Sequence, residues 1–110
     1  MSLDVYLYHA NDCRGELYWS NITHNLTRMA ANADLYKPLW RPDEIGIIRA
    51  VELIPLLEEG LGKLTDMPND VIEETTPSNG WGNHANLVKF TQEYLKACKE
   101  FPDAYVDVSR

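Results

Sequence analysis

Cysteine is scarce in this chain: Cys13 and Cys98 are the only two, and neither belongs to a close-spaced pair. That excludes a cysteine-built metal site and a disulfide framework, which need thiols at short, repeated spacings. The pair could bridge the two ends of the domain, but free thiols in a reducing cytoplasm are the expected state. Long apolar runs are also missing, so no membrane-spanning segment is expected. The opening MSLDVYLYHA has no basic cluster ahead of an apolar stretch, so it does not read as a secretion signal. Without secretion, the glycosylation pattern at Asn21 (NIT) and Asn25 (NLT) carries no meaning.

Positive charge is in short supply. Ten Lys and Arg stand against seventeen Asp and Glu, a net charge of −7. Such a surface repels phosphate backbones, so nucleic acid is not an expected partner. The chain holds no P-loop, GxGxxG, HExxH, CxxC, EF-hand or GxSxG pattern. His9, Asp12 and Cys13 lie close together without a ligand spacing, so neither a metal nor another cofactor is expected.

What is present is an ordinary globular composition. At 110 residues, 45% of them hydrophobic, the chain suffices for one domain around one core. In LDVYLYHA, Leu3, Val5 and Leu7 alternate with Asp4, Tyr6 and Tyr8, which predicts a strand with one buried face. A turn through Asn11, Asp12 and Gly15 leads to a second strand at 17–20, and a hairpin is the simplest topology. Ser20 or Asn21 then caps a predicted helix whose apolar stripe is Ile22, Leu26, Met29, Ala30 and Ala33. Pro38 and Pro42 mark where that helical region ends.

Helical spacing returns across 43–66, with the helix expected to start late, near Ala50, so that Pro55 falls not far beyond its first turn. EIGII ahead of it reads as a short extended piece, and 70–74 as one helical turn. Asn83 caps a last helix over 84–100, and AYVDVSR alternates as a third strand. The order β-β-α-α-α-β predicts a single α+β domain over residues 1–110, a small antiparallel sheet of three strands packed against helices.

Two stretches concentrate binding chemistry. In PSNGWGNH, Asn79-Gly80 and Gly82 permit a tight turn around Trp81, and Asn83 and His84 open a helix whose N-terminal N–H groups attract anions. Trp81 either stacks on a ligand or plugs the core, with the glycines merely turning the chain. In SNITHNLTR, Asn21, His24, Asn25 and Arg28 offer amide, imidazole and guanidinium groups on one expected helix, and Arg28 suits a carboxylate or phosphate. Asn21 as a cap and His24 as a half-buried, satisfied ring explain the same residues without a ligand. Trp40 with Arg41 either borders a pocket or covers the core below a proline-stiffened turn.

The stretches NITHNLTRMA, LYKPLWRPDEIG and TPSNGWGNH resemble a group of small proteins of bacteria and their phages, and the likeness runs nearly end to end, through the closing VSR. The resemblance implies a cytoplasmic protein encoded by a bacterium or phage and supplies no catalytic residue, fold or substrate. Thr76 stands where an asparagine is expected, which removes any role for that first amide. By analogy of size and setting alone, sequestration of a nucleotide signal of the host is one task for such a protein.

The functional expectation is a pocket in which both stretches converge on a polar, planar, nucleotide-like molecule. Trp81 would stack, Arg28 or Arg41 would meet its charge, and Asn21, Asn25 and Asn79 would orient it. One alternative is a hydrolase-like enzyme using His24 or His84 as general base. Another is an acidic interaction module that inhibits a host protein, with self-association also open.

Overall fold

The structure, a computed structural model, describes residues 2–10, 12–78, 80 and 82–110, and the side chains of these except residues 12–14. Its centre is β1 (Ser2–His9), flanked antiparallel by β2 (Asp12–Thr23) and β3 (Tyr105–Ser109) in the order β2-β1-β3. Period-two alternation decides which side is buried. Leu3, Val5 and Leu7 are fully buried on one face, and Asp4, Tyr6 and Tyr8 occupy the other.

The helices pack on the buried face. They are α1 (Thr27–Asn32), α2 (Tyr36–Trp40), α3 (Ala50–Thr65), α4 (Asn69–Thr75) and α5 (His84–Glu100). The result is the expected small α+β fold. In α5, Leu87, Phe90, Thr91, Tyr94, Leu95 and Cys98 are buried at three- and four-residue steps. Thr91 donates its hydroxyl to the Leu87 carbonyl at 2.8 Å, which satisfies the polar atom in the core. Burial pushes the Cys98 thiol up to about 12, so it stays protonated and inert.

Helix α3 does start at Ala50. Glu52 reaches back, its carboxylate accepting from the backbone N–H groups of Ile48 (3.0 Å) and Arg49 (2.8 Å). Those donors hold its carboxyl below the usual range. The extended piece expected over EIGII is mostly absent, since Glu44 and Ile45 lie in a 3₁₀ turn and Gly46 is left-handed; only its end meets β3, with Val106 N–H donating to the Ile48 carbonyl at 2.9 Å and Arg49 bridging to Tyr105.

Several predicted boundaries are corrected, and the second strand already begins at Asp12, where a turn was expected. The second strand runs on through Asn21, Ile22 and Thr23, which pair with Asp4, Leu3 and Ser2. Neither Ser20 nor Asn21 caps a helix. Thr23 does so, its side chain accepting from Asn25 N–H at 3.3 Å to open a 3₁₀ turn over His24–Leu26 that leads into α1. Ile22 therefore enters the core from the sheet. The helical region also breaks earlier than the prolines suggest, at Asp34, whose φ of 58° is left-handed. Pro38 falls within α2, where the first turn tolerates a missing N–H, and Pro42 opens a second 3₁₀ turn, Pro42–Ile45.

Two glycines of α3 have opposite surroundings. A Cβ on Gly60 would stand 2.5 Å from Leu35 Cγ and 3.2 Å from the Ala33 carbonyl oxygen, whereas one on Gly62 would meet nothing within 4 Å. Gly62→Ala is expected to stabilise the protein by about 0.5–1 kcal/mol through helix propensity. Gly60→Ala is expected to lose about 1–2 kcal/mol, because overpacking outweighs the same gain. Paired urea denaturation curves check both signs.

Candidate functional site

The end of β2 and the start of α5 are brought together by a glycine. Gly82 has φ +92°, and a Cβ there would lie 2.7 Å from Thr23 Cγ2 and 3.0 Å from Leu26 Cδ1. Any side chain would both strain the backbone and collide with that wall. The next residue, Asn83, is extended and accepts from Asn86 N–H at 2.8 Å through its side-chain oxygen, which starts α5 as expected. Gly80 is also left-handed, with φ 78°, a conformation open to glycine at no steric cost. Asn79 and Trp81 lie outside the described residues, and with them the stacking and core-plug readings of Trp81.

Above this contact a cleft of about 340 Å³ opens between β2 and α5. Ser20, Asn21 and Thr23 line it from the strand, and Asn86, Lys89 and Glu93 from the helix. Ile22 and Phe90, both nearly buried, supply its apolar base. Its volume is at the lower end of the range for small-molecule sites. Lys89 Nζ stands 3.9 Å from Glu93 Oε1, with both groups largely in solvent, so the pair leaves the ammonium available to a ligand.

Other expected residues are placed elsewhere. Asn25 and Arg28 line a neighbouring cleft of about 390 Å³ with Glu74, Thr75, Thr76, Pro77 and Ser78. Arg28 Nη2 lies 3.9 Å from Glu74 Oε1 with both groups largely in solvent, a pair as weak as that of Lys89 and Glu93, so Arg28 is set apart by its place in the other cleft. The shared helix face expected for Asn21, Asn25 and Arg28 is not formed, because Asn21 belongs to the strand.

Trp40 is only 2% exposed and lies in the core. Its indole N–H donates to His24 Nδ1 at 2.8 Å, and its ring stacks on Tyr36 with centroids 6.1 Å apart. Arg41 donates from Nε to the Tyr36 hydroxyl at 3.3 Å and stands 3.8 Å from Glu44.

The hydrogen bonds also fix what the histidines can do. His24, half-buried, spends its Nδ1 lone pair as the acceptor of the indole N–H. His84 must donate from Nε2 to the Leu64 carbonyl, 2.7 Å away, since a carbonyl only accepts; its basic nitrogen is then Nδ1. Among the described residues no group of three His, Cys, Asp or Glu could hold a metal ion. Among them, too, no helix is long and apolar enough to cross a membrane.

The lining residues Asn86, Lys89 and Glu93 were not singled out from sequence. Their spacing of three and four residues, on the polar side of a clearly amphipathic helix, is the signal that could have found them. No protein-family model, curated protein or solved structure matches the chain.

The Trp40–His24 bond gives a stability prediction. His24→Leu leaves a buried indole N–H without its acceptor and is expected to cost about 1–3 kcal/mol. Adding Trp40→Phe removes the orphaned donor, so the double variant should lose less than the two single changes summed. Denaturant melts of the four proteins measure the coupling.

Proposed function

We propose that the protein is a small binding module that takes a polar, planar, nucleotide-like molecule in the cleft between β2 and α5. One observation carries the reading: Asn21 of the first candidate stretch and Gly82 of the second line the same cleft. Asn86 presents a side-chain amide from the helix wall, able to donate and accept, which suits the edge of a heterocycle, and Asn21 borders the cleft from the strand. Lys89, together with the N-terminal half of α5, favours a ligand bearing negative charge. Lys89 thus takes the part that sequence had given to Arg28 or Arg41. Ile22 and Phe90 offer the ring an apolar support.

In the setting that the resemblance implies, the cytoplasm of a bacterium or of a phage-infected cell, such a module would sequester a nucleotide signal rather than convert it. His24 has given its Nδ1 to Trp40, so the alternative of a general base is left to His84 Nδ1.

Isothermal titration against a panel of linear and cyclic nucleotides tests the proposal. At least one should bind with sub-millimolar affinity, and Asn86→Ala should weaken it by about 3–10-fold, the worth of one hydrogen bond. Arg28→Ala, in the neighbouring cleft, should leave affinity unchanged. No heat from any member at millimolar concentration, or a loss confined to Arg28→Ala, would contradict it.

A further inference from the structure

The face of the sheet turned away from the helices carries a pattern that the cleft does not use. Opposed residues on neighbouring strands share a face, so the register places these side chains in rows. Trp19, Tyr6 and Asp107 form the middle row across β2, β1 and β3. Glu16, Tyr8 and Tyr105 form the row on one side, and Asn21, Asp4 and Ser109 the row on the other. This face is open: Trp19 is 50% exposed, and Glu16, Asn21, Asp107 and Ser109 are exposed. Tyr6 and Tyr8 stack with centroids 5.7 Å apart and planes 16° from parallel. Desolvation, and then the nearby Asp107, Tyr6 and Glu16, raises the Tyr8 phenol above its usual value.

We propose that this open face is a docking surface for an arginine-rich segment of a partner protein. A guanidinium is the group that both stacks flat on an aromatic ring and pairs in two-point fashion with a carboxylate. Here rings and carboxylates are neighbours in adjoining rows, at strand spacings of about 4.8 Å, so successive arginines of an extended segment would each find one of both. The molecule already makes this contact at the margin of the face, where the Arg49 guanidinium sits 4.9 Å from the centre of the Tyr105 ring. Arg110, next to Ser109 at the end of β3, is drawn off the surface to the Trp40 carbonyl and to Asp43, each at 3.0 Å.

Charge selects the occupant. The chain carries −7 overall, and Asp4, Glu16 and Asp107 stand on this face. A second copy would bring carboxylates against carboxylates, and phosphate-bearing surfaces would be repelled. The inference does not rest on the nucleotide-like reading of the cleft, and the two are separable by experiment.

Fluorescence anisotropy of a labelled octa-arginine peptide provides the test. Binding is expected that weakens as salt rises, with octa-lysine bound at least about 3-fold more weakly because an ammonium has no planar face to stack. Trp19→Ala, which keeps the charge, and Asp107→Asn should each weaken octa-arginine by about 5-fold or more. Circular dichroism checks that both variants retain the fold. The double change Asp70→Asn with Glu73→Gln alters exposed acids of α4, and Asn86→Ala alters the cleft. Both should shift the affinity by less than about 2-fold.

If the α4 change weakens binding as much as Asp107→Asn does, attraction is merely to net charge and the proposal fails. It also fails if Trp19→Ala binds like the parent, if octa-lysine equals octa-arginine, or if the face proves to be a self-association surface in sedimentation.

Discussion

Gly82 rests against Thr23 and Leu26 more closely than any side-chain-bearing residue could. Through that contact the segment ahead of α5 is seated on the end of β2, and the N-terminal half of α5 is aligned beside the strand. The cleft exists because the strand edge and the helix are held side by side just above it. Glycine is needed there for two reasons that act together: a left-handed backbone and a close approach. The neighbouring Asn83 cap then sets the first turn of the helix, so Asn86, Lys89 and Glu93 face β2.

A second constraint comes from β1. Its alternation commits Leu3, Val5 and Leu7 to the helices, and the same geometry commits Tyr6 and Tyr8 to the opposite side. The two surfaces thus have different origins. The cleft arises where α5 runs past β2, and the aromatic, acidic face arises because the helices pack on only one side of the sheet. Their chemistry differs accordingly: an amide and the Lys89–Glu93 pair in the cleft, rings and carboxylates on the face.

Much of the fold is legible in the sequence where one period dominates. Strands β1 and β3 alternate cleanly, α5 shows its stripe and its Asn83 cap, and the start of α3 follows from Pro55. The stretch 21–26 misleads, because Ile22, Leu26 and Met29 fit helical spacing as well as Ile22 fits a strand. The ladder with β1, a long-range interaction, decides the matter by pairing Ile22 with Leu3. That one boundary redistributes the expected site, sending Asn21 to the strand while Asn25 and Arg28 go to another cleft. The burial of Trp40 on His24 is hidden for the same reason, since the partners are sixteen residues apart and their meeting is a product of packing. By contrast, the meeting of Gly82 with Thr23 and Leu26 is half visible: both stretches are unusual in composition, and the contact is one that no spacing rule announces.

The seating of Gly82 is most directly measured by proton NMR on protein with labelled methyl groups. The account predicts strong nuclear Overhauser effects from the Gly82 α-protons to the methyl groups of both Thr23 and Leu26. If those cross-peaks are missing while the β1–β2 cross-strand signals are intact, the end of the strand and the start of α5 are not held together as described, and the cleft between them loses its foundation.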